Sequence, residues 1–137
     1  MARKFKVEIV TPEKVSFSEE VESLVVPAER GYLGVLAGHA PLLCTLKPGE
    51  IRLVRDGVED YFATSGGFME VTPRKTSLLV DSAESVKELD LPRAQEAVQR
   101  ARERLASTGT GVDRRRAEAA LERAQNRLRV ASKYRKP

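Results

Sequence analysis

From Phe5 to Ile9 apolar and charged residues alternate, with Phe5, Val7 and Ile9 set against Lys6 and Glu8. This is the period-two rhythm of a strand with one buried face. Thr11-Pro12-Glu13-Lys14 interrupts it as a turn. Further short apolar runs follow in EVESLVV, Ile51–Val54, Tyr61–Thr64, FMEV and TSLLV, separated by Pro, Gly and Asp clusters. The pair Asp56-Gly57 between IRLVR and VEDYFAT predicts a tight hairpin, because both central residues of such a turn must tolerate positive φ. Gly66 and Gly67, just before Phe68, permit a second tight bend. About 85 residues of short strands without an intervening helix predict a β-sandwich or barrel.

The period then changes. Ala94, Val98, Ala101 and Leu105 are spaced by four, three and four, and Ala117, Leu121, Ala124, Leu128 and Ala131 continue that spacing. Each set lies on one face of a helix. Ser107-Thr108-Gly109-Thr110-Gly111 between them predicts the loop of an antiparallel helical hairpin, with Asp113 capping the second helix. The expected architecture is a mainly β N-terminal sandwich over residues 1–86, followed by an all-α two-helix hairpin over 87–137, as two small domains. Ala-rich seams bury little compared with the roughly 1.5–3 kcal/mol of a fully buried Leu or Val, so the hairpin is expected to be held shut only marginally.

Charge divides the chain at the same place. Residues 1–89 carry 11 Lys+Arg against 14 Asp+Glu, a balance of −3, whereas residues 90–137 carry 13 against 6, a balance of +7. An acidic partner should therefore meet the C-terminal third. With 41% hydrophobic residues among 137, the composition is that of a globular protein. No stretch approaches the roughly 20 apolar residues that span a bilayer, so direct membrane insertion is not expected. Cys44 is the single cysteine, which rules out an internal disulfide and fits a reducing compartment.

Catalysis has no candidate constellation. His39 is the only histidine, no cluster has metal-ligand spacing, and no nucleophile stands beside a base. Gly31, Gly34 and Gly38 match neither phosphate-binding glycine pattern and read as turn residues. A +7 helical hairpin could be a nucleic-acid footprint. Against it, Tyr134 is the only aromatic residue in the tail, and the cations are interspersed with acids.

The stretch Glu88-Leu89-Asp90-Leu91-Pro92-Arg93-Ala94 allows two readings. In one, Asp90 is an N-cap whose carboxylate accepts from the Arg93 amide, and Pro92 sits in the first turn, where a missing N–H costs nothing. In the other it also belongs to a binding site. Together with VTPEK near the start, GYLGVLAGHAPLL, SGGFMEV, LDLPRA and RAEAALERAQNRL, it makes the chain resemble, over nearly its whole length, the epsilon subunit of bacterial F-type ATP synthase.

That resemblance implies a non-catalytic central-stalk subunit. Its partners would be the gamma subunit and the ring of c subunits, at the cytoplasmic face of the bacterial membrane. It would help couple proton flow to ATP synthesis, with Tyr32 and His39 in the region of the c-ring and gamma contacts. Tyr32 stands where the family frequently has an acidic residue. The resemblance further implies that the helices either fold against the sandwich or extend to the catalytic beta and alpha subunits and block ATP hydrolysis. No cofactor is required, but ATP is an implied regulatory ligand of the folded hairpin, held by Glu84, Leu89, Asp90, Arg93, Ala94, Arg100, Arg123 and Arg127.

Helical spacing is compatible with that set. Arg93 and Arg100 are seven apart and Arg123 and Arg127 four apart, so each pair shares a helix face, and a closed hairpin could bring four guanidiniums around one triphosphate. Extended helices would instead present Arg102, Arg104, Arg114, Arg115, Arg116, Arg123 and Arg129 to an acidic surface.

Overall fold

The computed structural model describes residues 3–107 and 111–134, with the side chains of 111–113 and 134 outside the description. Ten strands precede two helices, and the strands form two packed layers. One layer contains β3 (Ser23–Ala28), β4 (Gly31–Val35), β6 (Gly49–Arg55), β7 (Val58–Thr64) and β10 (Ala83–Ser85). The other contains β1 (Phe5–Val10), β2 (Val15–Val21), β5 (Leu42–Leu46), β8 (Gly67–Val71) and β9 (Thr76–Val80). A single pairing, Ala28 with Leu46 between β3 and β5, joins the layers into one continuous strand order. All other ladders are antiparallel except β1 with β9, where Val7–Val10 run parallel to Thr76–Leu79.

The alternating residues make the core. Val7 and Ile9 of β1, Ile51 and Leu53 of β6, Met69 and Val71 of β8, and Leu78 and Val80 of β9 are buried together, with Phe5 partly buried against them. The Asp56-Gly57 turn has φ of 51° and 79°, the left-handed values that its sequence predicts. EVESLVV is not one strand. The chain breaks at Glu22, where β2 ends and β3 begins in the opposite layer, so the apolar run continues through a corner. Both halves bury apolar residues, and hydropathy does not register the change of sheet.

The helices are α1 (Leu91–Ser107) and α2 (Gly111–Tyr134). Gly111, expected in the loop, already belongs to α2, so Asp113 lies within the first turn rather than ahead of it. Gly109 and the remainder of the expected loop up to Thr110 fall outside the described residues, apart from Ser107, which ends α1. Ala94, Val98 and Ala101 of α1 and Ala117 and Ala124 of α2 are buried, as the seam spacing predicts, whereas Leu105, Leu121 and Leu128 remain half-buried.

A second buried stripe on α2 holds Asn126 and Val130. Val130 and Ala131 pack on Ala63, Val86 and Leu89, a cluster separate from the sandwich core. This small cluster docks the folded hairpin on the sandwich. Its apolar members are few, which keeps the hydrophobic contribution modest.

Candidate functional site

Helix α1 starts where its sequence can satisfy the free amides of a first turn. The Arg93 amide donates to the Asp90 carboxylate at 3.2 Å, and the Ala94 amide donates to the Asp90 carbonyl at 2.9 Å. Pro92 follows two residues after the cap, where no intrahelical donor is lost. Leu89, just before the cap, is 2% exposed and anchors the helix start in the docking cluster. Its amide and that of Glu88 both donate to the Ser85 carbonyl, which turns the chain from β10 into α1.

Between this helix start and α2 lies an open cleft of about 350 Å³, lined by Glu84, Glu88, Leu89, Asp90, Arg93, Ala94, Ala97, Arg100 and Arg127. Seven of the eight residues expected around ATP thus meet at one place. Arg123 is exposed on α2 and lies outside the lining, so three guanidiniums rather than four converge here. Glu88 and Ala97 line the cleft without having been expected. Ala97 follows Arg93 by four and precedes Arg100 by three, so helical spacing could have placed it on the same face.

The cleft is electrostatically mixed. Glu84, at the middle of β10, accepts from Arg127 of α2 at 2.5 Å, an ion pair that ties the sandwich edge to the second helix. Glu88 and Asp90 supply two further carboxylates, and Arg93 and Arg100 two further cations. An anion entering the cleft therefore gains two guanidiniums without a carboxylate pairing among the described ion pairs, and a third by displacing Glu84 from Arg127.

Tyr32 and His39 are not brought together with that cleft. Tyr32 is 57% exposed on β4, and its hydroxyl accepts from the Glu50 amide at 3.3 Å. It shares a hollow with Pro27, Arg30, Lys47 and Arg129. The half-buried His39 donates from Nδ1 to its neighbour's carbonyl, on Ala40, at 2.6 Å. It faces a different cavity of about 500 Å³, with Arg3, Lys6 and Arg74. The seven arginines expected to meet an acidic partner are all exposed. Among the described residues no group of acidic, His and Cys side chains could hold a metal ion, and no helix is long and apolar enough to cross a membrane.

Two family models cover the chain. Residues 4–86 match the β-sandwich domain, and residues 87–132 the long α-helix domain, of the ATP synthase delta/epsilon chain. The chain is similar to the ATP synthase epsilon chain of Desulforamulus reducens, with 47% identity over 131 residues, covering 96% of this chain and 99% of that one. It is also similar to the epsilon chain of Bacillus mycoides, with 46% identity over 127 residues, covering 93% and 96%. In fold it resembles a chain of the Euglena gracilis mitochondrial ATP synthase, in a structure containing OSCP, F1 and the c-ring. There the TM-score is 0.77 at 24% identity, over 90% of this chain and 78% of that one.

Proposed function

The chain belongs to the delta/epsilon chain family of ATP synthases, as an epsilon chain with no catalytic role of its own, and from that premise we propose that it regulates the motor through its hairpin. In this reading it sits on the central stalk at the cytoplasmic face of the bacterial membrane. The sandwich contacts gamma and the c ring, with Tyr32 and His39 in that region, and transmits the rotation driven by proton flow. The helices restrain ATP hydrolysis when they leave the sandwich and meet the alpha and beta subunits. ATP binding to the folded hairpin keeps them down.

The observation that carries this reading is the cleft shared by α1, α2 and the β10 edge, where Arg93, Arg100 and Arg127 converge beside the Asp90 cap. A triphosphate there would bridge both helices and exists as a site only while they are folded together. Binding to one conformation stabilises it by RT ln(1 + [L]/Kd), about 2.7 kcal/mol when ATP is present at a hundred times Kd. That is comparable to the contribution of one well-buried side chain, so it can decide the position of a hairpin docked through so small a cluster. Asp90 keeps acceptor capacity for the adenine amino group beside the Arg93 amide, because a carboxylate offers about four lone-pair sites and the cap uses one. The seven exposed arginines favour an acidic surface for the extended state.

Two measurements test it. Titration of the chain with ATP should saturate, and Arg93→Ala and Arg100→Ala should each weaken binding; absence of saturable binding at millimolar ATP refutes the nucleotide site. Removing residues 90–137 from the assembled enzyme should raise ATP hydrolysis while leaving assembly and coupling intact, and unchanged hydrolysis refutes the brake.

A further inference from the structure

Among the described side chains of α2, Asn126 is the one buried residue that is neither apolar nor small. It is 4% exposed, and it lies off the seam that hydropathy marks out on that helix. Its amide nitrogen donates to the Gly49 carbonyl at 3.0 Å and to the Thr64 carbonyl at 3.0 Å. Gly49 and Thr64 are register partners at the start of β6 and the end of β7, so both N–H groups of one side chain close on one rung of the sandwich. The amide oxygen accepts from the Arg129 guanidinium at 2.5 Å. That bond fixes which way the amide points, because a guanidinium only donates and must face the oxygen.

The rung is shaped for this contact. A Cβ at Gly49 would lie 2.6 Å from the Pro27 Cβ, so the position admits no side chain and the rung cannot change there without moving β3. Thr64 is 1% exposed, and its hydroxyl is already engaged, donating to the Ser82 carbonyl and accepting from the Gly66 amide.

We propose that Asn126 and Arg129 form a polar latch that sets the register of the folded hairpin on the sandwich, with Arg129 as its release point. The proposal deepens the brake reading and rests on it for its physiological meaning. Two directional bonds from one side chain are satisfied at one axial position of α2, so the latch discriminates between registers on the sandwich more sharply than the small apolar cluster, whose attraction is non-directional. An apolar residue at 126 would leave a sticky stripe on the extended helix, whereas an amide rehydrates when the helix departs.

Arg129 is exposed, so an acidic surface can capture it. Capture removes the group that orients the amide. The partner that stabilises the extended state would then also weaken the folded one.

The test uses Asn126→Asp and Asn126→Leu in the full chain. The first keeps the shape but turns both donors into an acceptor facing two carbonyls, and the second keeps approximate volume without polar atoms. Hydrogen exchange of the α2 amides in the isolated subunit should accelerate about ten- to thirtyfold in both, as expected for losing two hydrogen bonds of ordinary net strength. Exchange in β1, β8 and β9 should stay as in the parent, which excludes general unfolding. Arg129→Gln should give a smaller acceleration. Unchanged or slower α2 exchange in both Asn126 variants overturns the latch. Hydrolysis by the reconstituted enzyme separates the two readings: faster exchange with lowered ATP hydrolysis supports both, while faster exchange with unchanged hydrolysis keeps the latch and refutes the brake.

Discussion

Val130 is the side chain through which the docking of the hairpin can be weighed. It is 1% exposed and packs on Ala63, Val86 and Leu89 in a cluster that the sandwich core does not share. Val130→Ala removes two methyl carbons, worth about 1.6 kcal/mol at roughly 0.8 kcal/mol per buried carbon. A partly collapsed cavity adds a few tenths more, for a total of about 2 kcal/mol. Because 1.4 kcal/mol is tenfold, the docking equilibrium should shift about thirtyfold toward the free hairpin.

Alanine is also the better helix former, so the helices themselves should not melt. Far-ultraviolet dichroism should stay constant while the amides of α1 and α2 exchange about thirtyfold faster, and the melting of the sandwich should hardly move. Leu43→Ala, at a position 70% exposed on β5, is the control and should change neither. Acceleration of less than about threefold in Val130→Ala would show that the cluster does not hold the hairpin, and loss of the sandwich transition would show that the two parts are one cooperative unit.

Other consequences follow from single contacts. Asp90→Ala removes the acceptor of the Arg93 amide and should destabilise α1 by about 1 kcal/mol, read as faster exchange confined to its first turn. Gly66→Ala should be far more damaging: φ is +104° and the new Cβ would lie 2.7 Å from the Leu46 carbonyl oxygen, so about 2 kcal/mol or more of melting stability should be lost.

The acid limb of stability should reflect three carboxyls, one of them Asp56, which the hydrogen bond from Lys4 holds below its ordinary value. Lys75 holds the Glu8 carboxyl below its ordinary value of 4.5, and the Tyr61 hydroxyl, followed by Arg52, does the same for Glu59. A carboxyl whose pKa is lowered by folding contributes stability fully above the ordinary value and loses it as pH falls through the folded one. Melting should therefore weaken on acidification below about pH 4.5, and Glu8→Gln with Glu59→Gln should flatten that decline.

Much of the site was legible at the level of residue type. The helical period placed Arg93 and Arg100 on one face, and the cap signal in LDLPRA marks the helix start that closes the cleft. Arg123 and Arg127 also share a face by spacing, yet only Arg127 reaches the cleft, where Glu84 of β10 holds it. Helical period reports which residues lie together on a cylinder, not how the cylinder is rotated against a neighbour. Nothing in local pattern marks the short strand β10, whose three residues are held by pairing with Phe62–Thr64. The same limit hid Asn126, a polar residue that every hydropathy pattern assigns to solvent and that tertiary hydrogen bonds bury.

By itself the sequence determined the alternation that buries Val7, Ile9, Ile51 and Leu53, the left-handed turn at Asp56-Gly57, the two helical seams and the concentration of positive charge beyond residue 90. These are properties of neighbouring residues, set by backbone sterics and side-chain period. The tertiary structure alone decided the corner at Glu22, the parallel pairing of β1 with β9, the ion pair from β10 to α2 and the bonds from Asn126 to one rung of the sandwich. Those join residues distant along the chain, and their partners become defined only when the two layers and the hairpin pack together.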